Sequence, residues 1–493
     1  MPVLIEHIYD IVLAIVIVVL LGTGALIILA VARRQRRDRY FRRMDDLRQR
    51  YGPVIASMLS QKLEYERGRE VLKGISGVDR DQVLEQLCLE KKPTPDQVPI
   101  LRRLCEDLGL VKIWQGRLSG QLGLSALRDT FASPEGLLHR FSRLHFLLRA
   151  KAADNLGITQ HKASWPLLVR ALEDPHPDVQ AVAVRSLAAI QEPASYKPLV
   201  ERLQQVILKP STRLSLRSIK TALISFPLKH AEGLKSSLTH QHRRIRFLAT
   251  DIIREMVERQ AAWEEDFVLD AKVFSPEIID LFVGQLCFDE NPDVRARSAA
   301  VISYLADPRS TPVLLTLLED AQWFVRLHAV RALAKRKFLS QAPQVALRLT
   351  DPHWMVREAA ARTLLVFGRV GSDQLNSHFL STQDRYSQEQ IADELQRAGL
   401  IPNLLVQYGG EAEGNEGRVL EQLIQMGKTS YVVSVLQTSS DQRLRRKFLM
   451  SYGRYLDPQI RAWVQQVATE ETDPNLRTLA QTAIRPAIKQ GES

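Results

Sequence analysis

Cysteine is nearly absent from this chain: Cys88, Cys105 and Cys287 are the only three in 493 residues, and no two form a Cys-X-X-Cys pair. That excludes a disulfide framework and a cysteine-built zinc site, and it suits a reducing compartment. Aromatic residues are scarce too, at 6%. Leu, Ala, Arg and Gln abound instead, a mixture that favours helices. No GxSxG elbow and no HExxH helix occurs. The Pro-His dipeptides at His176 and His353, and His240-Gln-His242, lack the Cys or acidic partners that zinc needs, and read as solvated turn residues. No catalytic residue, metal or cofactor is therefore expected. A chain of this length is too long for one core, so several domains or an extended array are expected.

Basic residues are missing from the first 32 positions, which carry Glu6 and Asp10, and are packed into the next 18. Residues 33–50, RRQRRDRYFRRMDDLRQR, hold nine Arg against three Asp, more than half of the net charge of +11. Ahead of them, between Asp10 and Arg33, lie 22 uncharged and mostly aliphatic residues, IVLAIVIVVLLGTGALIILAVA. As a helix this run spans about 33 Å, enough to cross the hydrocarbon core of a bilayer. An acidic start, a long run and trailing arginines fit an uncleaved anchor better than a signal peptide. The Arg bias keeps the C-terminal side in the cytoplasm. The expectation is thus a single-pass inner (cytoplasmic) membrane protein: residues 1–10 a short extracytoplasmic tail, 11–32 the transmembrane helix spanning the lipid bilayer. No GxxxG marks the span for self-pairing.

Across 33–51, Tyr40, Met44, Leu47 and Tyr51 recur on one helical face. A helix lying against anionic lipid headgroups would contact them through Arg33, Arg34, Arg36, Arg37, Arg39, Arg42 and Arg43. The alternative is a stalk that continues the membrane helix.

Beyond residue 140 the chain is repetitive. Residues 351–364, DPHWMVREAAARTL, nearly duplicate residues 320–333, DAQWFVRLHAVRAL. The shared template is an Asp, a Pro or Trp, a branched apolar residue, Arg, then Ala four and Leu eight after the apolar one. It recurs from Asp174 through Val179, Ala183 and Leu187, and from Asp289 through Val294, Ser298 and Ile302. Ile245-Arg246 and Leu476-Arg477 begin further copies. Weaker ones centre near Leu148-Arg149, Leu216-Arg217 and Leu444-Arg445, and degenerate ones near Ser387 and Arg418. Positions 0, +4 and +8 share one helix face. A second apolar segment precedes each such helix, so each unit of about 31 residues is a helical hairpin joined by an Asp-Pro turn. One hairpin cannot bury its own apolar face; stacked neighbours must share a core. The fold class is all-α, an α-solenoid of stacked hairpins over 141–486. Residues 33–50 form an Arg-rich juxtamembrane helix, 51–140 an irregular helical cap, and 487–493 a tail.

This wording resembles the HEAT-repeat family, in particular the bacterial HEAT-like repeats also found in phycobilin lyases, over roughly 143–486. The resemblance implies a curved scaffold that binds other proteins. It also implies that the repeated Asp174, Asp289, Asp320 and Asp351, with Arg295, Arg326 and Arg357, serve contacts between adjacent repeats. By association with similar bacterial chains, the partners would be membrane-associated, in an envelope or polysaccharide-synthesis complex.

Several features stand apart from the template. Trp323 and Trp354 occupy equivalent turn positions where other copies have Pro177, Pro292 and Pro474; stacked on one ridge, they would form a partner-binding spot. The alternative is that each packs under its own turn. The insertion at 258–276 carries Trp263 and Phe267 and reads either as a docking loop or as a longer helix filling a bend. GKTS at 427–430 lacks the Gly that a phosphate loop needs at position 422, where Gln422 stands, so Gly427 reads as a helix cap. Basic clusters at 242–246, 335–337 and 443–447 are short and widely spaced, so nucleic acid is not the expected partner. The resulting expectation is a non-enzymatic membrane-anchored scaffold. Two alternatives stay open: a membrane-tethered nucleic-acid-binding array, and a lyase-like enzyme accessory.

Overall fold

A computed structural model describes residues 2–75, 80–90, 92–120, 137–209, 213–264, 267–269, 273–409, 415–453 and 457–484 of the chain. The chain divides into two compact units, Met1–Phe226 and Pro227–Ser493. Both are helical; among the described residues the one β feature is an isolated parallel bridge between Leu269 and Leu305.

The first unit begins with a single helix, Pro2–Leu59. Uninterrupted, it runs from the apolar segment through the Arg block and on into the cap, where it packs on Tyr65–Lys73, Arg80–Cys88 and Val98–Asp107. Met44, Ile55 and Met58 are buried, and Arg48 reaches Glu90 at 3.3 Å. The Arg block therefore continues the preceding helix. The described apolar side chains, 16–32, are nearly all exposed and span about 26 Å as a helix, short of a bilayer core. The side chains of 11–15, which complete the expected span, and of Arg33, Arg36, Arg37 and Tyr40 lie outside the described ones, as do those of residues 2–10. The tail 487–493 is outside the described residues altogether. Among those described, no helix is long and apolar enough to cross a membrane.

Beyond the cap each unit is a stack of hairpins. In the first unit Trp165–Ala171 leads into Pro177–Ile190; in the second Ser310–Leu317 leads into Trp323–Lys335, and Ala342–Ala346 into Trp354–Val366. The second helices start where the chain provides an acceptor for free backbone N–H groups: His176, Asn291, His353 and Asp384 each accept from the residue two positions on. Pro177 and Pro292 occupy the first turn, where a missing N–H costs nothing. The template stripe is the core. Val179, Ala183 and Leu187, Ile245, Ala249 and Ile253, Val325, Ala329 and Leu333, and Val356, Ala360 and Leu364 are all fully buried. Small residues set how closely the helices approach: a Cβ on Gly157 would come within 2.5 Å of Ser186 Oγ, and that hydroxyl instead donates to Ala153 O at 2.8 Å.

The Asp and Arg of the template lock one turn to the next. Arg326 donates from Nη1 to Asp320 O, in its own turn, at 2.9 Å. Its Nε and Nη2 then donate in parallel, each at 2.7 Å, to the two carboxylate oxygens of Asp351 in the following turn. Asp351 Oδ1 also accepts from His353 N at 2.9 Å, closing the turn before the helix. Arg295 does the same between Asp289 O and Asp320. Arg246 joins His240 O to Asp289, and in the first unit Arg149 forks onto Asp174. The step from Arg to the acid is 25 residues at Arg149, Arg295 and Arg326. At Arg246 it is 43: the 18-residue insertion is looped out and the ladder keeps its register. Further along, Arg445 meets Glu471 at 2.5 Å.

These pairs are nearly dry: Arg326 and Asp351 side chains are 11% and 0% exposed. Burial alone would raise the Asp351 carboxyl; the Arg326 fork and the His353 N–H outweigh it and hold the group below the ordinary carboxylate range. Asp320 is depressed in the same way by Arg295 and the Gln322 N–H against its own burial. All three cysteines are free and buried. Hydrogen bonding to Cys88, and burial, hold the Cys105 thiol well above its usual value, so two residues distant in sequence are neighbours in the fold.

Removing one partner of a buried pair strands the other. Asp351→Ala should lower the unfolding free energy of the second unit by about 3–5 kcal/mol, comparable with Leu333→Ala at about 2–5 kcal/mol, read from urea unfolding midpoints. Because the folded carboxyls are depressed, their stabilisation is complete above the unfolded Asp value of about 4 and is lost as pH falls through the folded values. The unfolding midpoint should therefore hold steady from pH 7 to about 5 and fall below about pH 4.

Candidate partner-binding ridge

The turns that carry the ladder also carry aromatic rings. Trp323 lies two residues before its branched aliphatic residue and stacks face to face on His353, centroids 3.8 Å apart and planes 2° apart. Trp354 sits beyond, 6.3 Å from the His353 ring. The first unit repeats the device: Phe146, two before Leu148, stacks on His176 at 3.6 Å and 9°. In each case an aromatic of one repeat covers the helix-capping His of the next. His176 and His353 are thus half-buried caps pressed between turns, not freely solvated residues. Sequence reading missed them because the His and its aromatic belong to different copies. The signal that finds them is the offset: His three, and Trp or Phe two, before the aliphatic residue.

The two tryptophans consequently differ. Trp323 is half-buried with His353 against its face; Trp354 follows His353 and is 55% exposed. They do not meet directly, since His353 intervenes. Arg357, one turn after Trp354, donates from Nη1 to Asp351 O at 2.8 Å.

The insertion in the second unit is only partly helical. The helix Arg243–Ala261 runs 19 residues against 13 for Trp323–Lys335, and then yields to a pinned loop. Leu269 N donates to Tyr304 O at 2.8 Å and Ala306 N to Leu269 O at 3.1 Å; Leu269 and Phe274 are fully buried. Phe267 meets the Tyr304 ring edge-on at 6.1 Å, in the wall of a cavity of about 490 Å³ shared with Lys335, Arg336 and Lys337. The Lys335 ammonium lies 3.5 Å from the Tyr304 ring centre; burial lowers its pKa, with Glu258 pulling the other way. Trp263 stands clear of this packing at 85% exposure.

The remaining chemical candidates are occupied within the fold. Lys428 Nζ donates to Asp393 at 2.5 Å and Thr429 Oγ1 to Asp457 at 3.1 Å, while Gly427 adopts φ +76° at the end of Glu416–Gln425. Within the basic clusters, Arg246 and Arg445 are ladder residues. Among the described residues no group of His, Cys, Asp or Glu could hold a metal ion. Half-buried His328, its pKa lowered to about 4 by desolvation and by Arg297, Arg331 and Arg254, is neutral at physiological pH. On the stalk, Arg34, Arg39, Arg42 and Arg43 are exposed.

Residues 134–206 and 279–365 match the family profile of HEAT repeats, one segment in each unit; the helical hairpins stacked in those segments fit an α-solenoid. Among solved structures, the chain is similar to the karyopherin Kap121p bound to the extreme C-terminus of the protein phosphatase Cdc14p, with 14% identity and a TM-score of 0.34 over 83% of this chain and 57% of that one. It is similar also to importin beta, with 11% identity and a TM-score of 0.34 over 91% and 70%. Human deoxyhypusine hydroxylase gives 17% identity and a TM-score of 0.23 over 58% and 94%. This chain thus spans little more than half of Kap121p, and likenesses this distant carry no argument about partner or activity. No curated protein matches the sequence.

The burial difference separates the two tryptophans experimentally. Trp354→Ala should leave stability within about 0.5 kcal/mol, whereas Trp323→Ala, which uncovers His353, should cost about 0.5–1.5 kcal/mol beyond lost area. Thermal unfolding of the two variants side by side measures the gap.

Proposed function

We propose that this HEAT-repeat chain is a non-enzymatic, membrane-anchored scaffold that presents its array on the cytoplasmic side to protein partners of a membrane-associated complex. The observation that carries the reading is the single helix Pro2–Leu59. It joins a run of exposed aliphatic side chains, Val16 to Val31, directly to a stalk whose exposed arginines suit an anionic membrane surface. Aliphatic side chains exposed around a whole helix are costly in water and favourable in lipid. The sequence extends this run to 22 residues, Ile11 to Ala32. A helix continuing without a break cannot also lie flat on the headgroups. The arginines then act as a collar at the point of exit, and the buried Met44 lies about 16 Å further along the helix from Arg33.

The protein-binding half of the reading rests on the repeats. HEAT-repeat solenoids are typical of protein-interaction scaffolds, and here the polar groups of the turns are mostly engaged with one another. The described surface offers exposed aromatics such as Trp354 and Trp263.

Carbonate extraction of native membranes tests the anchor. The full chain should stay in the pellet, and a version lacking residues 1–32 should move to the supernatant with its helical circular dichroism intact. Recovery of both in the supernatant would sink membrane anchoring. Cross-linking with nuclease treatment separates the partner classes: nuclease-sensitive recovery would favour a nucleic-acid-binding array instead.

A further inference from the structure

The ladder of the second unit has one rung without its acid. Counting the common step of 25 residues from Arg357 leads to Thr382. The Thr382 turn is built like the others. Its backbone, φ −74° and ψ 140°, matches Asp351 at φ −57° and ψ 140°. Thr382 Oγ1 accepts from Asp384 N at 3.2 Å, as Asp351 Oδ1 accepts from His353 N. Thr382 O accepts from Gln388 at 2.9 Å, as Asp320 O accepts from Arg326. Only the carboxylate is missing.

Arg357 registers the loss. Its Nη1 keeps the backward bonds to Asp351 O at 2.8 Å and Pro352 O at 3.4 Å. Its Nε, which in Arg295 and Arg326 donates to the next Asp, is buried and donates to nothing. No acid among the described residues pairs with it. A guanidinium held in a half-buried rung with one edge unmatched is ready to donate to a carboxylate, because the bidentate geometry is set before the acid arrives. Beside it, Trp354 is 55% exposed one helical turn back, and Tyr386 is 72% exposed one turn past Thr382. This is the arrangement of a charged anchor with aromatic neighbours that protein interfaces favour.

We infer that the Arg357 rung is a docking site for an aspartate-bearing segment of a partner protein, its carboxylate taking the place of the absent ladder acid and its neighbouring side chains covering Trp354. The site rests on the protein-binding reading above and makes it specific: one residue, one charge, one ridge. Trp354 and Arg357 belong to the same helix, so the turn that displays the ring also positions the guanidinium.

The variant Thr382→Asp supplies the acid from within the chain, and Thr382→Asn is its neutral control. On the full-length protein in detergent, Thr382→Asp should raise Tm by roughly 2–4 °C, with Thr382→Asn unchanged. An unmoved Tm in the aspartate variant would mean that the rung is not competent to hold a carboxylate, whatever the protein's wider role. The binding probe is a fluorescein-labelled, end-capped peptide of the chain's own ladder turn, LEDPHP (residues 172–177), followed by anisotropy, with LENPHP as control. The wild type should bind LEDPHP at least about tenfold more tightly than LENPHP. Thr382→Asp and Trp354→Ala should each reduce that binding, while Thr382→Asn should not. Equal binding of the two peptides, or binding indifferent to Thr382→Asp, would overturn the site. Displacement by a DNA oligonucleotide with no preference for LEDPHP over LENPHP would overturn it in favour of a phosphate ligand.

Discussion

Each turn of the repeat array must bring two helices close without leaving the backbone of the turn unmatched, and at Arg246, Arg295 and Arg326 one Arg–Asp fork does both. The guanidinium has five N–H donors in a fixed plane. One edge is spent on the carboxylate of the next turn and the remaining nitrogen on the carbonyl of its own. The Asp returns the arrangement by accepting a backbone N–H that opens the following helix. Backbone closure, helix start and repeat-to-repeat spacing thus become one interaction. The desolvation of these groups is offset only when the geometry holds at both ends. That is why the 18-residue insertion after Arg246 is accommodated by looping out rather than by shifting the ladder.

The aromatic stacks arise from the same spacing. Once Arg326 and Asp351 fix consecutive turns, the residue two before one aliphatic position is brought over the residue three before the next. A flat ring there meets a flat ring. His serves because its Nδ1 can cap the helix N-terminus while its face takes Trp323 or Phe146. Proline in place of the tryptophan, as at Pro292, suits the first turn of the helix but presents no aromatic face. The stacked rings therefore occur at Trp323 and Phe146, where the sequence departs from proline to an aromatic residue.

The hairpins themselves were legible in the sequence, because a buried stripe at 0, +4 and +8 leaves its period in the residue types. So was the place of the Asp and Arg in each turn. The ladder's wiring was not: Arg326 is written beside Asp320, its own turn residue, yet it forks onto Asp351 twenty-five positions away. The weak copy at Arg149 makes the same fork onto its acid as the strong ones, although its Nη1 meets His145 instead of a turn carbonyl, since the fork depends on backbone register and not on how many template letters survive. The insertion resisted reading for the opposite reason: its helix ends after Ala261 because Leu269 pairs with the turn at Tyr304–Ala306, a contact with no local signature.

Sequence alone determined the helical class, the repeat length, the apolar run before Arg33 and the chemical identity of each turn residue, since these come from composition and period. Tertiary structure decided which residue of one turn faces which residue of the next. It separated the two tryptophans, covering Trp323 with His353 and leaving Trp354 exposed. It also showed that Thr382 stands in a turn shaped for an acid. An absent carboxylate leaves no mark in a sequence; it becomes visible only when the arginine that would have met it is found holding one edge of its fork unmatched.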